Sequence, residues 1–367
     1  MKILYVHAPD NSSHPGGIET YARELIMGIR SRGHSVEEII TDPEVVMKSL
    51  RPVDHIPTPR YWHRFFFWRG IYYQDYRYHR AIHQSVTKCR ALFKPDLIHT
   101  FHVYQLGALD LKRVSSVVTC HGLEIEDNSL VRTSLKLAQG IHCNSNFTRG
   151  LVEKVNGSTS RLRVLSWGIF PGMKQSASPF TYDLITISRL VRRKNIESVI
   201  RAVAGLPDVR YAIAGAGPQL DPLKQLVEAL RLQNVVFFGE ISEQRKWELL
   251  QQSKVFIMCP RRDLANDVEG LGLVYFEAHA AGVPVIGAHS GGVHDAVGDG
   301  GVLVADPLDV EEIRSAIRHT LKPKNHIALV DKVKQRQQTH TWDKFVQSFE
   351  QWYAQLVGEA RRQLQSY

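Results

Sequence analysis

Short apolar runs that alternate with stretches of helical spacing constrain this chain more than any other feature of its sequence. In the first half the runs are KILYVH, SVEEII, DLIHT, SVVTC, GIHCN and LRVLS. After WGIFPGMKQSASPFTY, which is rich in Gly, Pro and Ser, the rhythm restarts with DLITIS, VRYAIAG, NVVFFG, KVFIMC, PVIGA and GVLVA. Runs this short, separated by segments long enough for a crossover helix, predict an α/β fold with parallel sheets. A chain of 367 residues also exceeds the size at which one core usually splits. The break near residues 168–181 therefore predicts a first domain at 1–170 and a second at 171–342. The tail, 343–367, carries Phe345, Phe349, Trp352 and Leu356 at helical spacing. It predicts a long amphipathic helix that packs back on the first domain.

Composition narrows the function classes. Hydrophobic residues at 43% and charged residues at 23% are globular values. The formal charge of +9 favours anionic partners: nucleic acid, an anionic membrane surface or phosphorylated small molecules. Cys89, Cys120, Cys143 and Cys259 are scattered without metal-ligand spacing, which predicts reduced thiols in a cytoplasmic protein. The opening MKILYVHAPD reads as a first strand rather than a signal segment. No run reaches the ~20 apolar residues of a membrane span, so membrane contact is expected to be peripheral, at the inner face.

Residues 60–83, RYWHRFFFWRGIYYQDYRYHRAIH, interleave aromatics with Arg and His. That composition suits a helix packed on a core, an element lying on an anionic membrane surface, or a stacking platform for single strands. Nucleic acid is the least supported of the three, because no helix-turn-helix, RNP-like or zinc-finger pattern accompanies it.

Several strand ends carry candidate chemistry. Gly16 and Gly17 lie between the first strand and a helix predicted from about Ile18 to Arg32, where bare amides and a helix N-terminus suit a phosphate. The alternative is a plain turn. In SRLVRRKN, Arg189 leaves a strand's carboxyl end and Lys194 follows about one helical turn later, a placement suited to a diphosphate. AIAGAGP lacks the third glycine of a dinucleotide fingerprint and reads as a tight turn. EGLGLVYFEAHAAG puts Gly270 and Gly272 at the start of a short helix ending at Gly282, with Glu269 before it and Glu277 one turn inside. Too far apart for one acid–base pair, the two glutamates suit different parts of a ligand, each accepting from hydroxyls of a diol. Capping by Glu269 and a basic partner for Glu277 remain the structural alternatives.

Taken together, GGIETYARELIMGIRSRGH, PDLIHTFHV, CHGLE, SRLVRRKN, AIAGAGP, VVFFGEIS and EGLGLVYFEAHAAGVPVIGAHSGG resemble, in order, a retaining glycosyltransferase of family 4. The resemblance implies a GT-B fold, two Rossmann-like parallel-sheet domains facing across a cleft. It implies that Gly16 and Gly17 offer backbone amide to the donor diphosphate, and that Arg189 and Lys194 neutralise it without a metal. Glu269 would hold hydroxyls of the transferred sugar, with the amides of Gly270, Leu271 and Gly272 on sugar and phosphate. Glu277 would bind the ribose, His121 would face the donor sugar, and Phe238 would lie where the base is read. The family's Asn-Gly-Val-Asp near the junction reads SWGIF here, and the glycine after the phosphate-binding lysine is Asn195.

The reading that follows is a metal-independent, retaining transferase without a cofactor. It would move a hexose such as mannose or glucose from a nucleoside diphosphate sugar to a lipid-linked or glycan acceptor. MCPRRDLANDVEGLGLVYFEA resembles phosphatidylinositol mannosyltransferase-like members, which points to a GDP-mannose donor. Competing readings are a GT-B isomerising or phosphorolytic enzyme, and a non-catalytic basic protein that binds membrane or nucleic acid. An NAD-dependent oxidoreductase is disfavoured, since no GxGxxG follows the first strand.

Overall fold

The computed structural model describes residues 1–7, 17–41, 73–106, 109, 111, 114–122, 124–157, 160–171, 180–262 and 268–365. They divide into two compact units. One contains Met1–Cys143, Arg149–Val164 and Val346–Tyr367, the other Asn144–Thr148 and Leu165–Phe345. Among the described residues, no helix is long and apolar enough to cross a membrane.

In the first unit, β1 (Lys2–His7), β2 (Ser35–Ile40), β3 (Leu97–Thr100), β4 (Ser115–Cys120), β5 (Gly140–Cys143) and β6 (Leu162–Val164) pair in parallel in the order β2-β1-β3-β4-β5-β6. All six apolar runs of the first half thus become strands, although LRVLS is paired only over its first three residues. Alternate residues serve opposite faces. Leu4, Val6, Ile98, Val118, Cys120 and Ile141 build one apolar core. The other face carries Tyr5, His99, Thr119 and His142, bridged by hydrogen bonds. His99 reaches Tyr353 at 2.6 Å and Thr119 at 2.7 Å, and Thr119 reaches His142 at 3.1 Å.

Helix α1 (Gly17–Ser31) follows β1 and buries Tyr21, Leu25 and Ile29. Helices α2 (Tyr73–Phe93), α3 (Val103–Leu106), α4 (Ser129–Leu137) and α5 (Asn146–Asn156) come next. Residues 60–72 of the aromatic and basic segment lie outside the described residues, so the interfacial reading of 60–83 falls largely there.

The second unit holds β7 (Tyr182–Ile187), β8 (Tyr211–Ala214), β9 (Val235–Gly239), β10 (Ser253–Ile257), β11 (Val285–Ala288) and β12 (Gly301–Val304), in the order β12-β11-β10-β7-β8-β9. This is the doubly wound order, and its direction reverses between β7 and β10. Crossover helices α6 (Ile196–Val203), α7 (Leu220–Ala229), α8 (Glu243–Gln251), α9 (Leu273–Ala280), α10 (Val293–Val297) and α11 (Val310–Leu321) precede α12 (Pro323–Thr339). The caps are local sequence choices. Ser242 accepts from Arg245 N to start α8, and Asp309 accepts from Glu311 and Glu312 N to start α11.

The last helix, α13 (Trp342–Gln365), belongs to the first unit from Val346 onward. There its Trp352 and Leu356 lie so close to β5 that a Cβ on Gly140 would come within 2.6 and 2.8 Å of them. In the second unit, the SWGIF segment pairs with the start of this helix. Ile169 N donates to His340 O at 2.7 Å, and Phe170 stacks on Trp342 at 4.4 Å between ring centroids.

Candidate functional site

In open parallel sheets, ligands bind at the carboxyl ends of the strands flanking the reversal of strand order. In the second unit those strands are β7 and β10. The chain leaving β7 makes a short 3-10 turn, Arg192–Lys194, before α6. The chain leaving β10 returns at Val268–Gly272 to start α9. Between them stands an ion triad. Arg193 Nη1 and Lys194 Nζ each donate to the same oxygen of Glu269, Oε2, at 2.5 Å. All three side chains are about nine-tenths shielded, with 12%, 12% and 11% of their surface exposed. Burial pushes the Glu269 carboxyl up, yet Lys194 and Arg193 outweigh it and hold the group below the usual carboxylate range. Among the described residues, the hydrogen bonds to the Glu269 carboxylate fall on Oε2.

Glycines set the geometry of both turns. Gly272 takes φ +86° as the N-cap of α9, and Gly282 takes φ +79° just beyond its C-cap. A Cβ on Gly291 would meet Glu269 O at 2.0 Å, and one on Gly292 would meet Gly270 O at 1.9 Å. The HSGG segment therefore lies flat on the backbone of the glutamate turn, with Gly292 N donating to Glu269 O at 2.8 Å. Ser145 Oγ also donates to Gly270 O, at 2.9 Å. Across the site, Gly215 and Gly217 of AIAGAGP press on the β7 exit, where added Cβ atoms would meet Ser188 O at 1.9 Å and Leu190 O at 2.5 Å. Leu271 is buried beneath the turn.

The departure at Asn195 has a local explanation. Its φ of +53° is left-handed, the region Asn tolerates best after Gly. Its buried amide donates to Cys259 O at 2.9 Å and Pro307 O at 2.6 Å, while Oδ1 accepts from Ser198 at 2.9 Å. The asparagine thus keeps the backbone shape and ties the lysine turn to the segments that follow β10 and β12.

Glu277 lies one turn inside α9 and is paired, as the structural alternative had it. Lys246 Nζ of α8 donates to its Oε1 at 2.7 Å and also reaches Glu243 at 2.7 Å. Burial lowers the pKa of Lys246, but Glu277 and Glu243 outweigh that and raise it, so the lysine stays charged. Arg189 is not drawn into the triad. It is exposed, and it has no ion pair among the described residues. Phe238, at the end of β9, has its ring against Tyr182 and under the Arg245 guanidinium, whose carbon is 5.5 Å from the ring centre.

In the first unit, Gly17 is the first residue of α1 and is exposed with open space around it. Gly16 lies outside the described residues. His121 follows β4, is buried, and makes a T-shaped contact with the Tyr21 ring of α1, with ring centroids 5.4 Å apart. Burial, then the neighbouring His142 and His102, push its imidazole down to about 3, so it is neutral at pH 7. Its backbone N–H donates to Glu124 Oε1 at 2.5 Å.

Arg193, Lys246 and Glu124 had no role in the sequence reading. Arg193 lay in a visible run of cations, but a run does not show which side chain turns inward. Lys246 is 31 residues from its partner, with no local signal.

Comparison with known proteins gives matches over both halves. The Glycosyltransferase Family 4 profile matches residues 15–171, and the Glycosyl transferases group 1 profile matches residues 174–338. Over 141 residues the chain is 40% identical to the GDP-mannose-dependent alpha-(1-6)-phosphatidylinositol monomannoside mannosyltransferase of Mycolicibacterium smegmatis. That match covers 36% of this chain and 37% of the relative, so the chain spans little more than a third of that relative's length. It is 24% identical over 314 residues to the alpha-monoglucosyldiacylglycerol synthase of Streptococcus pneumoniae, covering 74% and 67% of the two chains. The structure of sucrose-phosphate synthase from Thermosynechococcus elongatus superposes with a TM-score of 0.73 at 20% identity, over 98% of this chain and 99% of that one. This last likeness is one of fold, and the fold is GT-B.

Proposed function

The chain belongs to the glycosyltransferases, with a Glycosyltransferase Family 4 half and a Glycosyl transferases group 1 half, and from that premise we propose that it is a retaining hexosyltransferase acting on a lipid-linked or glycan acceptor. Its donor is a nucleoside diphosphate sugar, and GDP-mannose is the first to test, because a relative 40% identical over 141 residues is GDP-mannose-dependent. A glycolipid acceptor agrees with the names of that relative and of the diacylglycerol-linked synthase.

One observation carries the reading: Lys194, Arg193 and Glu269 converge where β7 and β10 reverse the strand order. Lys194, with exposed Arg189 close by in sequence, supplies positive charge to a diphosphate leaving group. This role asks for no metal. Gly270 and Gly272 present amides at the start of α9, where the helix dipole adds up to ~2 kcal/mol for a bound anion in favourable geometry. Glu269, ionised and shielded, accepts from sugar hydroxyls through Oε1, and Glu277 accepts from the ribose. In transfer with retention, the bond from the anomeric carbon to the phosphate oxygen breaks. The acceptor oxygen bonds the same face of that carbon, and its proton passes to the departing phosphate. Membrane contact through residues 60–83 would bring a lipid acceptor within reach.

The test is to incubate the protein with GDP-mannose, and separately with UDP-glucose, in the presence of a membrane lipid extract, and to read the anomeric configuration of the product by NMR. An α-linked product from an α-linked donor supports the reading. A β-linked product removes retention, and product formed without any acceptor favours an isomerising enzyme.

A further inference from the structure

Lys194 and Arg193 share one oxygen of Glu269, and this raises a difficulty for donor binding. On the reading proposed above, which this inference extends, a diphosphate recruits Lys194. If Lys194 were the sole partner of Glu269, recruiting it would leave a shielded carboxylate unpaired. Breaking a buried pair in that way is strongly unfavourable, because it leaves an uncompensated buried charge. The triad avoids this, because Arg193 Nη1 already lies 2.5 Å from the same Oε2. Its guanidinium keeps donors in a fixed fork, whereas the lysine ammonium is a point charge on a flexible stem. The two cations also sit on consecutive residues of one 3-10 turn, so either can hold the carboxylate without the turn moving.

We propose that Arg193 is a positioning residue, the standing counter-ion of Glu269, which keeps that carboxylate fixed and paired while Lys194 is handed over to the donor diphosphate. Arg193 acts through Glu269 and needs no contact with the donor. Two consequences follow. Without the arginine, Glu269 holds Lys194 more tightly and the diphosphate must compete for it, so nucleoside diphosphate affinity falls. If Glu269 is also made neutral, Lys194 has no competing partner, and affinity returns although the arginine is still missing. A direct contact between Arg193 and phosphate predicts the opposite of the second result.

The experiment is a calorimetric titration of the full chain with GDP and with UDP. Its arms are the wild type, Arg193→Met, Arg193→Lys, Glu269→Gln and the double variant Arg193→Met with Glu269→Gln. Arg193→Met should weaken the nucleotide that the wild type binds by about tenfold or more, the size of coupling seen within one ion-pair network. Arg193→Lys should stay within about threefold of wild type, since a second cation remains. The double variant should bind at least as tightly as Arg193→Met with most of the loss recovered. An unchanged affinity in Arg193→Met overturns the inference while leaving the proposed function intact. A loss that Glu269→Gln does not recover also overturns it, in favour of direct phosphate contact or a purely structural role. A wild-type chain that binds neither GDP nor UDP overturns both this inference and the functional reading on which it rests.

Discussion

Lys194 and Glu269, 75 residues apart in the sequence, meet at 2.5 Å beside the point where the second sheet reverses its strand order. The contact joins the two segments that the sequence had marked separately, a cationic strand exit and a glycine-rich helix start. Removing Glu269 takes the shared carboxylate from two shielded cations, whereas removing Lys194 leaves the carboxylate with Arg193. Glu269→Ala should therefore lower stability more than Lys194→Ala, by about 1 kcal/mol or more. Both should lose turnover. Urea unfolding alongside a nucleoside diphosphate release assay checks the two statements.

Glu277 is held by Lys246 through one oxygen, Oε1. Lys246→Met frees that oxygen to turn, which should raise the donor KM by about tenfold with a smaller change in kcat, the pattern of lost binding rather than lost chemistry. Initial rates over a range of donor concentration decide it. A fall in kcat at constant KM would contradict the assignment of Glu277 to the ribose.

Gly215 has φ +130°, and its added Cβ would meet Ser188 O at 1.9 Å. Gly215→Ala should displace the β7 exit that carries Lys194, costing about 2 kcal/mol or more and most of the activity. Thermal unfolding with activity measured at a temperature where the variant is folded separates the two effects.

Among the described residues every strand of both sheets falls on one of the twelve runs: inner strands such as β3 and β4 are buried throughout and write themselves as apolar runs, whereas the edge strand β2 is largely exposed and shows only Val36, Ile39 and Ile40 around two glutamates. The sequence reading also placed Glu269 and Glu277 on different parts of one short helix start. It did not show which cations they face. Arg189 and Lys194 looked alike in SRLVRRKN, yet the 3-10 turn points Lys194 and Arg193 at Glu269 and leaves Arg189 exposed. Charge runs specify a surface region, while pairing depends on turn geometry that a run of cations does not encode. Glu124 was visible in CHGLE, but its bond to the His121 amide depends on the loop's fold.

Asn195 tests how the turn tolerates a residue other than glycine. Asn195→Gly keeps the left-handed backbone and loses the bonds to Cys259 and Pro307, whereas Asn195→Ala loses the same bonds and adds about 1 kcal/mol of strain. Alanine should be the less stable variant in urea unfolding. Equal stability would mean that the bonds, not the backbone, select asparagine.

Part of the acid sensitivity of the first unit should trace to Glu38. His7, ahead of Arg30 and against a smaller opposing effect of burial, lowers its carboxyl from 4.5 to about 2. A carboxyl lowered in the folded state contributes stability that is present above its unfolded pKa and lost as pH falls through the folded one. Glu38→Gln should thus flatten the decline of stability between about pH 4.5 and pH 2. Denaturant midpoints across that range, compared with wild type, give the answer.

The central claim is that the chain transfers a sugar through the Lys194 and Glu269 site, and the most direct measurement is nucleoside diphosphate release. The purified chain is supplied in turn with UDP- and GDP-linked sugars, with and without a membrane lipid extract, and Lys194→Ala serves as control. The account predicts release from one class of donor, stimulated by the lipid and lost in the variant. Release that persists undiminished in Lys194→Ala, or no release and no nucleotide binding with any donor, would contradict it.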